Sequence, residues 1–361
     1  MPDPFAPGFL TRLPVAPRKV AVVRASRIGD YICATPALRS LRVALPDAEI
    51  ALIGLPFVRD LVMRSRHLDR FVEFPGFPGM AEQFFDARRA LEFFQAMQAE
   101  EFDLAVQLNG SGVYANPFTL MLGARYTVGF IADGDWPSRL DAACPLPDAG
   151  PEVERWLVLT TFLGAPSEGA EMEFPIWRTD LAVAAELLAD AARPLIGLQP
   201  GSREENKCWP AGRFAEAGRA LRDRLGGTIV LLGGPDEEGI AAEIDSELSG
   251  RVLNLAGRTS VPQLGAVVGQ LTILLTNDSG PAHIAYALGT PTVTIFGGTD
   301  PARWGPPLLP RHQVVTAPGT EPGEPVGGEA PIARVAVPDV VQAALRALQG
   351  ADAAENSGTL H

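Results

Sequence analysis

Lys19–Arg24 reads KVAVVR and runs directly into Ala25-Ser26-Arg27-Ile28-Gly29-Asp30. A six-residue apolar, β-branched run closed by a polar turn is the pattern of a strand buried on both faces, as in a parallel sheet. Tyr31–Ala44 follows, with Ala34, Leu38, Leu41 and Leu45 at helical spacing, and Glu49–Gly54 (EIALIG) is again a strand. Strand, turn, helix and strand make a βαβ unit, and the rhythm continues. Arg70–Phe74 reads as a strand, Phe84–Ala99 as a helix, Asp103–Leu108 and Tyr126–Phe130 as strands, and Glu152–Leu163 as a helix.

Gly164–Thr179 holds Pro166 and Pro175 and reads as a linker, after which the same rhythm restarts. Leu195–Gln199, Thr228–Leu232, Val252–Leu255, Ile273–Thr276 and Thr292–Phe296 read as strands. Helices are expected over Ala211–Leu225, Glu237–Leu248, Val261–Val268 and Pro281–Leu288. A chain of 361 residues exceeds what one core usually supports, so two domains are expected. The reading is α/β: two Rossmann-like doubly wound halves, 1–175 and 180–335, facing a central cleft lined by the carboxyl ends of their strands. Ala317–Ala330, rich in Gly, Pro and Glu, reads as a loop. Residues 336–361 read as an amphipathic helix over Pro338–Leu348 and a frayed tail from Gly350.

Hydrophobic content of 47% with 20% charged residues is that of a globular protein. No apolar run approaches the ~20 residues of a membrane helix, and the first residues lack the apolar core of a secretory leader. Cys33, Cys144 and Cys208 are odd in number and scattered, which fits a reducing cytoplasm better than a disulfide framework or a zinc site. A net charge of −13 argues against a nucleic-acid partner. Residues 1–75 nevertheless hold eleven Lys/Arg against seven Asp/Glu. That basic segment suits an anionic acceptor, or consists of solvated helix faces.

Three segments carry candidate chemistry. Thr276-Asn277-Asp278-Ser279-Gly280-Pro281-Ala282-His283 lies between an apolar strand and a helix, with Pro281 suited to the first helical position. Backbone N–H groups and the positive end of the helix dipole make such a terminus a phosphate-binding end. Equally, Asp278 and Ser279 can simply cap the helix. Gln199-Pro200-Gly201-Ser202-Arg203-Glu204-Glu205-Asn206-Lys207-Cys208-Trp209-Pro210 also joins a strand to a helix. Lys207 there can place an ammonium beside a departing diphosphate, or be an ordinary surface lysine, although the adjacent Trp209-Pro210 suggests a more constrained position. Asp30, at the exit of the first strand, can take a proton from a hydroxyl nucleophile, but on local sequence alone it reads first as an N-cap.

Other motifs are missing. The sequence has no G-x-x-x-x-G-K-[ST], no G-x-G-x-x-G after a strand and no G-x-S-x-G elbow. Asp133-Gly134-Asp135 is a lone D-x-D beside Trp and Pro, more often a turn than a metal site. His67, His312 and His361 form no ligand pattern, so neither a metal nor a bound cofactor is expected.

Taken together, RIGDYICATPALRSLR, PGSREENKCWP, LAGRTSVPQL and TNDSGPAHIAYALGTPTVTIFGGTDPARWGP resemble glycosyltransferase family 9, the lipopolysaccharide heptosyltransferases, in the family's order and over most of the chain. The resemblance implies a GT-B fold and an inverting, metal-independent transfer from a nucleotide-heptose, ADP-linked, to a lipopolysaccharide-core or related surface glycan. It makes Asp30 the general base. It makes Lys207 and the Ser279–Gly280 turn the diphosphate binders, with Ser202, Asp278 and His283 beside them, and Glu237 or Glu238 a ribose contact. The implied partners are the nucleotide-sugar donor and an anionic glycan or glycolipid, with at most peripheral contact at the cytoplasmic face of the inner membrane. Two departures stand out: Cys208 replaces a basic or large residue, and the Gly/Pro-rich 317–330 replaces an often cysteine-containing segment. A nucleotide-sugar epimerase or a non-catalytic nucleotide-sugar-binding protein of the same architecture are the alternatives.

Overall fold

The computed structural model of the protein describes residues 3–80, 83–132, 134–135, 139–317 and 330–356. The chain divides into two compact units, Met1–Pro175 and Ile176–His361. No described helix is long and apolar enough to cross a membrane.

In chain order the first unit contains β1 (Lys19–Arg24), α1 (Ile28–Ala44), β2 (Glu49–Gly54), α2 (Arg59–Arg64), β3 (Arg70–Glu73), α3 (Ala87–Ala99), β4 (Leu104–Gln107), α4 (Ala115–Met121), β5 (Tyr126–Ile131), β6 (Ala142–Pro145) and α5 (Glu152–Leu163). All six strands are parallel, in the order β3-β2-β1-β4-β5-β6. β1 is central: Val20 pairs with Ile50 of β2 and with Leu104 of β4, and Val20 to Val23 are fully buried. Burial on both faces is why KVAVVR shows an apolar run and no alternation.

Helix α1 starts at Ile28, three residues before the expected Tyr31, because Asp30 closes its first turn. The Asp30 Oδ2 accepts the backbone N–H of Arg27 at 3.3 Å. Asp30 is therefore the third helical residue and not a cap ahead of the helix. Pro36 lies inside α1 and offers no N–H to the Ile32 carbonyl, and the Thr35 hydroxyl donates to that carbonyl at 2.7 Å. α5 packs on α1 and ends at Gly164, whose φ of 93° is the left-handed cap that favours glycine.

The second unit contains α6 (Arg178–Leu187), β7 (Leu195–Gln199), α7 (Ala211–Leu225), β8 (Thr228–Leu231), α8 (Glu238–Glu247), β9 (Val252–Asn254), α9 (Val261–Val268), β10 (Ile273–Asn277), α10 (Gly280–Leu288), β11 (Thr292–Phe296), α11 (Pro301–Trp304), β12 (His312–Thr316) and α12 (Val337–Asn356). Its sheet runs β12-β11-β10-β7-β8-β9, all parallel. Read from β9, the third, second, first, fourth, fifth and sixth strands of the unit succeed one another, as in the first unit. The strand order reverses between β1 and β4 and between β7 and β10, and such a switch point opens a crevice at the carboxyl ends.

The expected tail is helical through Asn356. Val340, Val341, Ala343, Ala344 and Ala347 of α12 join the core beneath α7, so the helix belongs to the second unit. Of the expected 317–330 loop, 318–329 lie outside the described residues, as do Asp133 of the D-x-D and His361.

The expected linker is tied down over most of its length. Arg39 of α1 donates to the carbonyls of Glu168 (3.1 Å), Gly169 (3.1 Å) and Glu171 (3.0 Å) and pairs with the Glu173 carboxylate at 2.6 Å. His67 Nε2 meets the other Glu173 oxygen at 3.0 Å, and the Glu173 N–H donates to Thr35 Oγ1 at 2.9 Å. Burial alone would push the Glu173 carboxyl up, but the hydrogen bonds from His67 and Arg39 outweigh it and hold the group at about 2.

Similar pairing answers what the basic segment does. Lys19 pairs with Glu100, Arg24 with Asp30, Arg42 with Asp69, Arg59 with Glu73, Arg64 with Asp60, Arg66 with Glu173 and Arg70 with Glu49 and Glu100. Most of that positive charge is neutralised within the unit.

Candidate active site

In the first unit the carboxyl end of β1 delivers Arg24 and, one turn later, Asp30. Arg24 is buried to 2% exposure, whereas the Asp30 side chain keeps 25%. Asp30 Oδ2 is held by the Arg27 N–H, and Oδ1 lies 3.5 Å from Arg24 Nη2. A carboxylate with each oxygen touched from one side, and a quarter of its surface open, still has lone pairs with which to accept a proton.

In the second unit the carboxyl ends of β7, β8, β10 and β11 bring together residues far apart in sequence. Gln199, the last residue of β7, is their centre and is 1% exposed. Its Oε1 accepts from Thr276 Oγ1 and from Ser279 Oγ, both at 2.9 Å, and its Nε2 donates to Glu237 Oε1 at 3.1 Å. The Gly234 N–H donates to Glu237 Oε2 at 2.6 Å. Burial is the largest influence on the Glu237 carboxyl and pushes it up, against the pull of the Gly234 and Gln199 hydrogen bonds. Gly201 lets the backbone pass against that carboxylate, which a Cβ there would force to move. The exposed Glu238 lies across Gly257, which has a φ of 70°.

The terminus of α10 is open. Ser279 is its N-cap residue, yet no side chain caps the helix, because the Ser279 hydroxyl is turned to Gln199. Asp278 does not cap either: its Oδ2 accepts from Thr299 Oγ1 at 2.5 Å. Neither residue performs the capping that competes with anion binding at this end. Gly280 is the first helical residue and Pro281 the second, so the imino position falls one place later than expected and removes one N–H from the turn. His283 is 5% exposed and packs edge-on to Tyr286 at 5.5 Å and Trp304 at 6.4 Å, backing the helix from the core side.

The 201–209 loop is anchored at both ends. Asn277 Nδ2 donates to the Pro200 carbonyl at 2.6 Å, and the Trp209 N–H donates to Asn277 Oδ1 at 3.1 Å. The fully buried Trp209 indole also donates to the Val335 carbonyl at 3.0 Å. Cys208 fits this loop by packing its thiol on the carbonyls of Ser202 (3.5 Å) and Glu204 (3.6 Å), where burial pushes the thiol up. Lys207 keeps 19% of its side chain exposed, and its ammonium pairs with Glu204 at 3.2 Å.

Strand β8 and the residue that follows β9 are packed into the core. Ile229, Val230, Leu231, Leu232 and Leu255 are fully buried in the core. A cavity of about 510 Å³ borders the amino end of β8 at Thr228 and runs along β9 from Arg251 to Arg258, and it also carries Glu186 and Asp190. Among the described residues, no group of three or more His, Cys, Asp and Glu side chains is arranged to hold a metal ion.

A model of one protein family, glycosyltransferase family 9 (heptosyltransferase), matches residues 90–325. Lipopolysaccharide heptosyltransferase 3 of Escherichia coli is 28% identical over 294 residues, which span 77% of this chain and 83% of that protein. Among solved structures, the family 9 glycosyl transferase from Veillonella parvula superposes with a TM-score of 0.80 at 20% identity, over 92% of this chain and 97% of the other. The E. coli ADP-heptose lps heptosyltransferase II does so with a TM-score of 0.73 at 21% identity, over 92% and 99%. At these identities the structural likeness speaks for the fold, which is GT-B, with two Rossmann-like parallel units.

Proposed function

Because the chain belongs to glycosyltransferase family 9 and is therefore a glycosyltransferase, we propose that it moves a heptose from ADP-heptose to a lipopolysaccharide-core or related surface-glycan acceptor, with inversion and without a metal ion. The open amino terminus of α10 carries this reading, since its N-cap hydroxyl is engaged elsewhere and its dipole is left for an anion. In this reading the diphosphate sits at Ser279 and Gly280, flanked by Asp278 and Ser202, with His283 supporting the helix from behind. Lys207 exchanges Glu204 for the phosphate charge, and Glu237 or Glu238 accepts from the ribose hydroxyls. The name of the E. coli relative, an ADP-heptose enzyme, supports the choice of donor.

Asp30 takes the proton from an acceptor hydroxyl as that oxygen attacks the anomeric carbon. The bond from that carbon to the diphosphate oxygen breaks with its electron pair leaving on ADP, and Lys207 with the α10 N–H groups stabilises the charge that develops. Arg59 and Arg66 keep 58% and 77% of their side chains exposed despite their ion pairs, and offer the acceptor's anionic groups a surface. On this reading the enzyme works at the cytoplasmic face of the inner membrane, in peripheral contact at most.

The test is incubation of ADP-heptose with and without a heptose-deficient core acceptor, alongside calorimetric titration with ADP and UDP. The expected result is ADP release and a new glycoside only with acceptor, and tighter binding of ADP than UDP. A donor whose stereochemistry changes without acceptor would replace this reading with an epimerase. Binding without turnover would make the protein a nucleotide-sugar-binding module.

A further inference from the structure

We propose that Arg24 is a positioning residue for transfer, holding the Asp30 carboxylate in its working orientation across the switch point of the first sheet. The inference rests on the reading of Asp30 as the base.

Arg24 ends β1, and its guanidinium reaches three elements at once. Nη1 donates to the Leu108 carbonyl, just past β4, at 2.8 Å, and Nη2 donates to the Asp30 carbonyl at 2.7 Å. The same Nη2 lies 3.5 Å from Asp30 Oδ1, and the guanidinium carbon Cζ lies over the Trp156 ring of α5, 4.0 Å from its centre. A charge this deeply buried is costly, and its Nε finds no partner among the described residues. Burial draws the guanidinium below its ordinary value, and Asp30 is the first of the neighbours that oppose this. A strand end needing only to be filled would be served by an apolar residue. A planar fork that spans two carbonyls and a carboxylate fixes the first turn of α1 against β4. With Arg27 N–H on Oδ2 and Arg24 on Oδ1, the carboxylate is held from both sides and its remaining lone pairs keep one direction.

The experiment compares Arg24→Lys, Arg24→Ala and Asp30→Asn in full-length enzyme, with kcat, donor KM, ADP affinity and melting temperature measured for each. Arg24→Lys keeps a charge but cannot bridge, so kcat should fall at least tenfold while donor KM stays within twofold. In Arg24→Ala, guanidinium ion well below denaturing concentration should restore part of kcat, and urea should not. If Arg24→Ala does not fold, Arg24→Lys decides alone by its kcat and KM. Unchanged kcat, a parallel loss in donor KM, or a folded Arg24→Ala that guanidinium does not rescue would overturn the proposal. Activity retained in Asp30→Asn would instead remove the reading on which it rests. An inactive Asp30→Asn beside a fully active Arg24→Lys would sink the positioning role alone.

Discussion

Ser279 stands at the N-cap of α10 but gives its hydroxyl to Gln199, 2.9 Å away and eighty residues earlier in the chain, instead of accepting from its own helix. A serine at this position ordinarily accepts an N–H of the first turn, so Gln199 holds the helix end open. Gln199→Met removes the acceptor and frees Ser279 to cap α10, and it also releases Glu237. ADP affinity should fall about tenfold, the ~1.4 kcal/mol of one lost hydrogen-bonded constraint. Adding Ser279→Ala removes the competing cap and should recover part of the loss, as calorimetric titration will show. A double variant no better than Gln199→Met would mean that self-capping plays no part.

Asp30→Asn keeps the shape of the side chain and its place in α1, but an amide accepts no proton. Transfer should be lost while ADP affinity stays at the wild-type value. Turnover above about a tenth of wild type, a barrier change under ~1.4 kcal/mol, would leave Asp30 only its role in closing the first turn of the helix.

Activity should be complete in excess chelator, because in the proposed mechanism Lys207 and the α10 terminus supply the positive charge that a divalent cation would otherwise bring. The measurement is the initial rate with EDTA against added Mg²⁺ or Mn²⁺. A strict metal requirement that disappears when Asp133 or Asp135 is replaced would overturn this.

The strap between Glu168 and Glu173 gives a pH signature. Glu173 is held at about 2, below its ordinary 4.5, so its contribution to stability is complete above 4.5 and is lost as pH falls towards 2. Glu173→Gln should cost roughly 2 kcal/mol at neutral pH after allowance for solvent screening. Its melting temperature should converge with that of wild type over the same acid window. A gap that stays constant down to pH 2, or no gap at neutral pH, would show that Arg39 grips the segment through its carbonyls alone.

Where segments are buried on both faces or strongly periodic, the sequence read to the residue. Leu195–Gln199, Ala211–Leu225, Val261–Val268 and Thr292–Phe296 have the expected bounds, as does Glu152–Leu163. The strands that escaped are edge strands. β6 is only AACP, and β12, HQVVT, buries His312 alone and then alternates half-buried and exposed positions without a long apolar run. α6 starts at the end of the proline-bearing linker and runs past it, and α4 is a short helix with Pro117 in its first turn. Ser279 and Glu237 were legible because they sit in glycine-rich turns after strands. Gln199 and Arg24 were not, since a residue closing an apolar run reads as part of its strand. Their partners at the fourth strands, Leu108, Thr276 and Ser279, lie 77 to 84 residues away, a distance that no local spacing encodes.

The shared strand order gives Arg24 and Gln199 a kinship. Each is the last residue of its unit's first strand, and each sends a long buried side chain to the exit of the fourth: Arg24 to Leu108, Gln199 to Thr276 and Ser279. The crevice that such a sheet opens at its reversal is thus bridged twice by the same construction, once with a cation and once with a neutral amide. That single difference divides the labour of a duplicated plan. The half that carries Asp30, the base of the proposed transfer, has a fixed charge at its pivot. The half proposed to receive the diphosphate has a group that presents its oxygen to two hydroxyls and its N–H to a carboxylate, and adds no charge of its own.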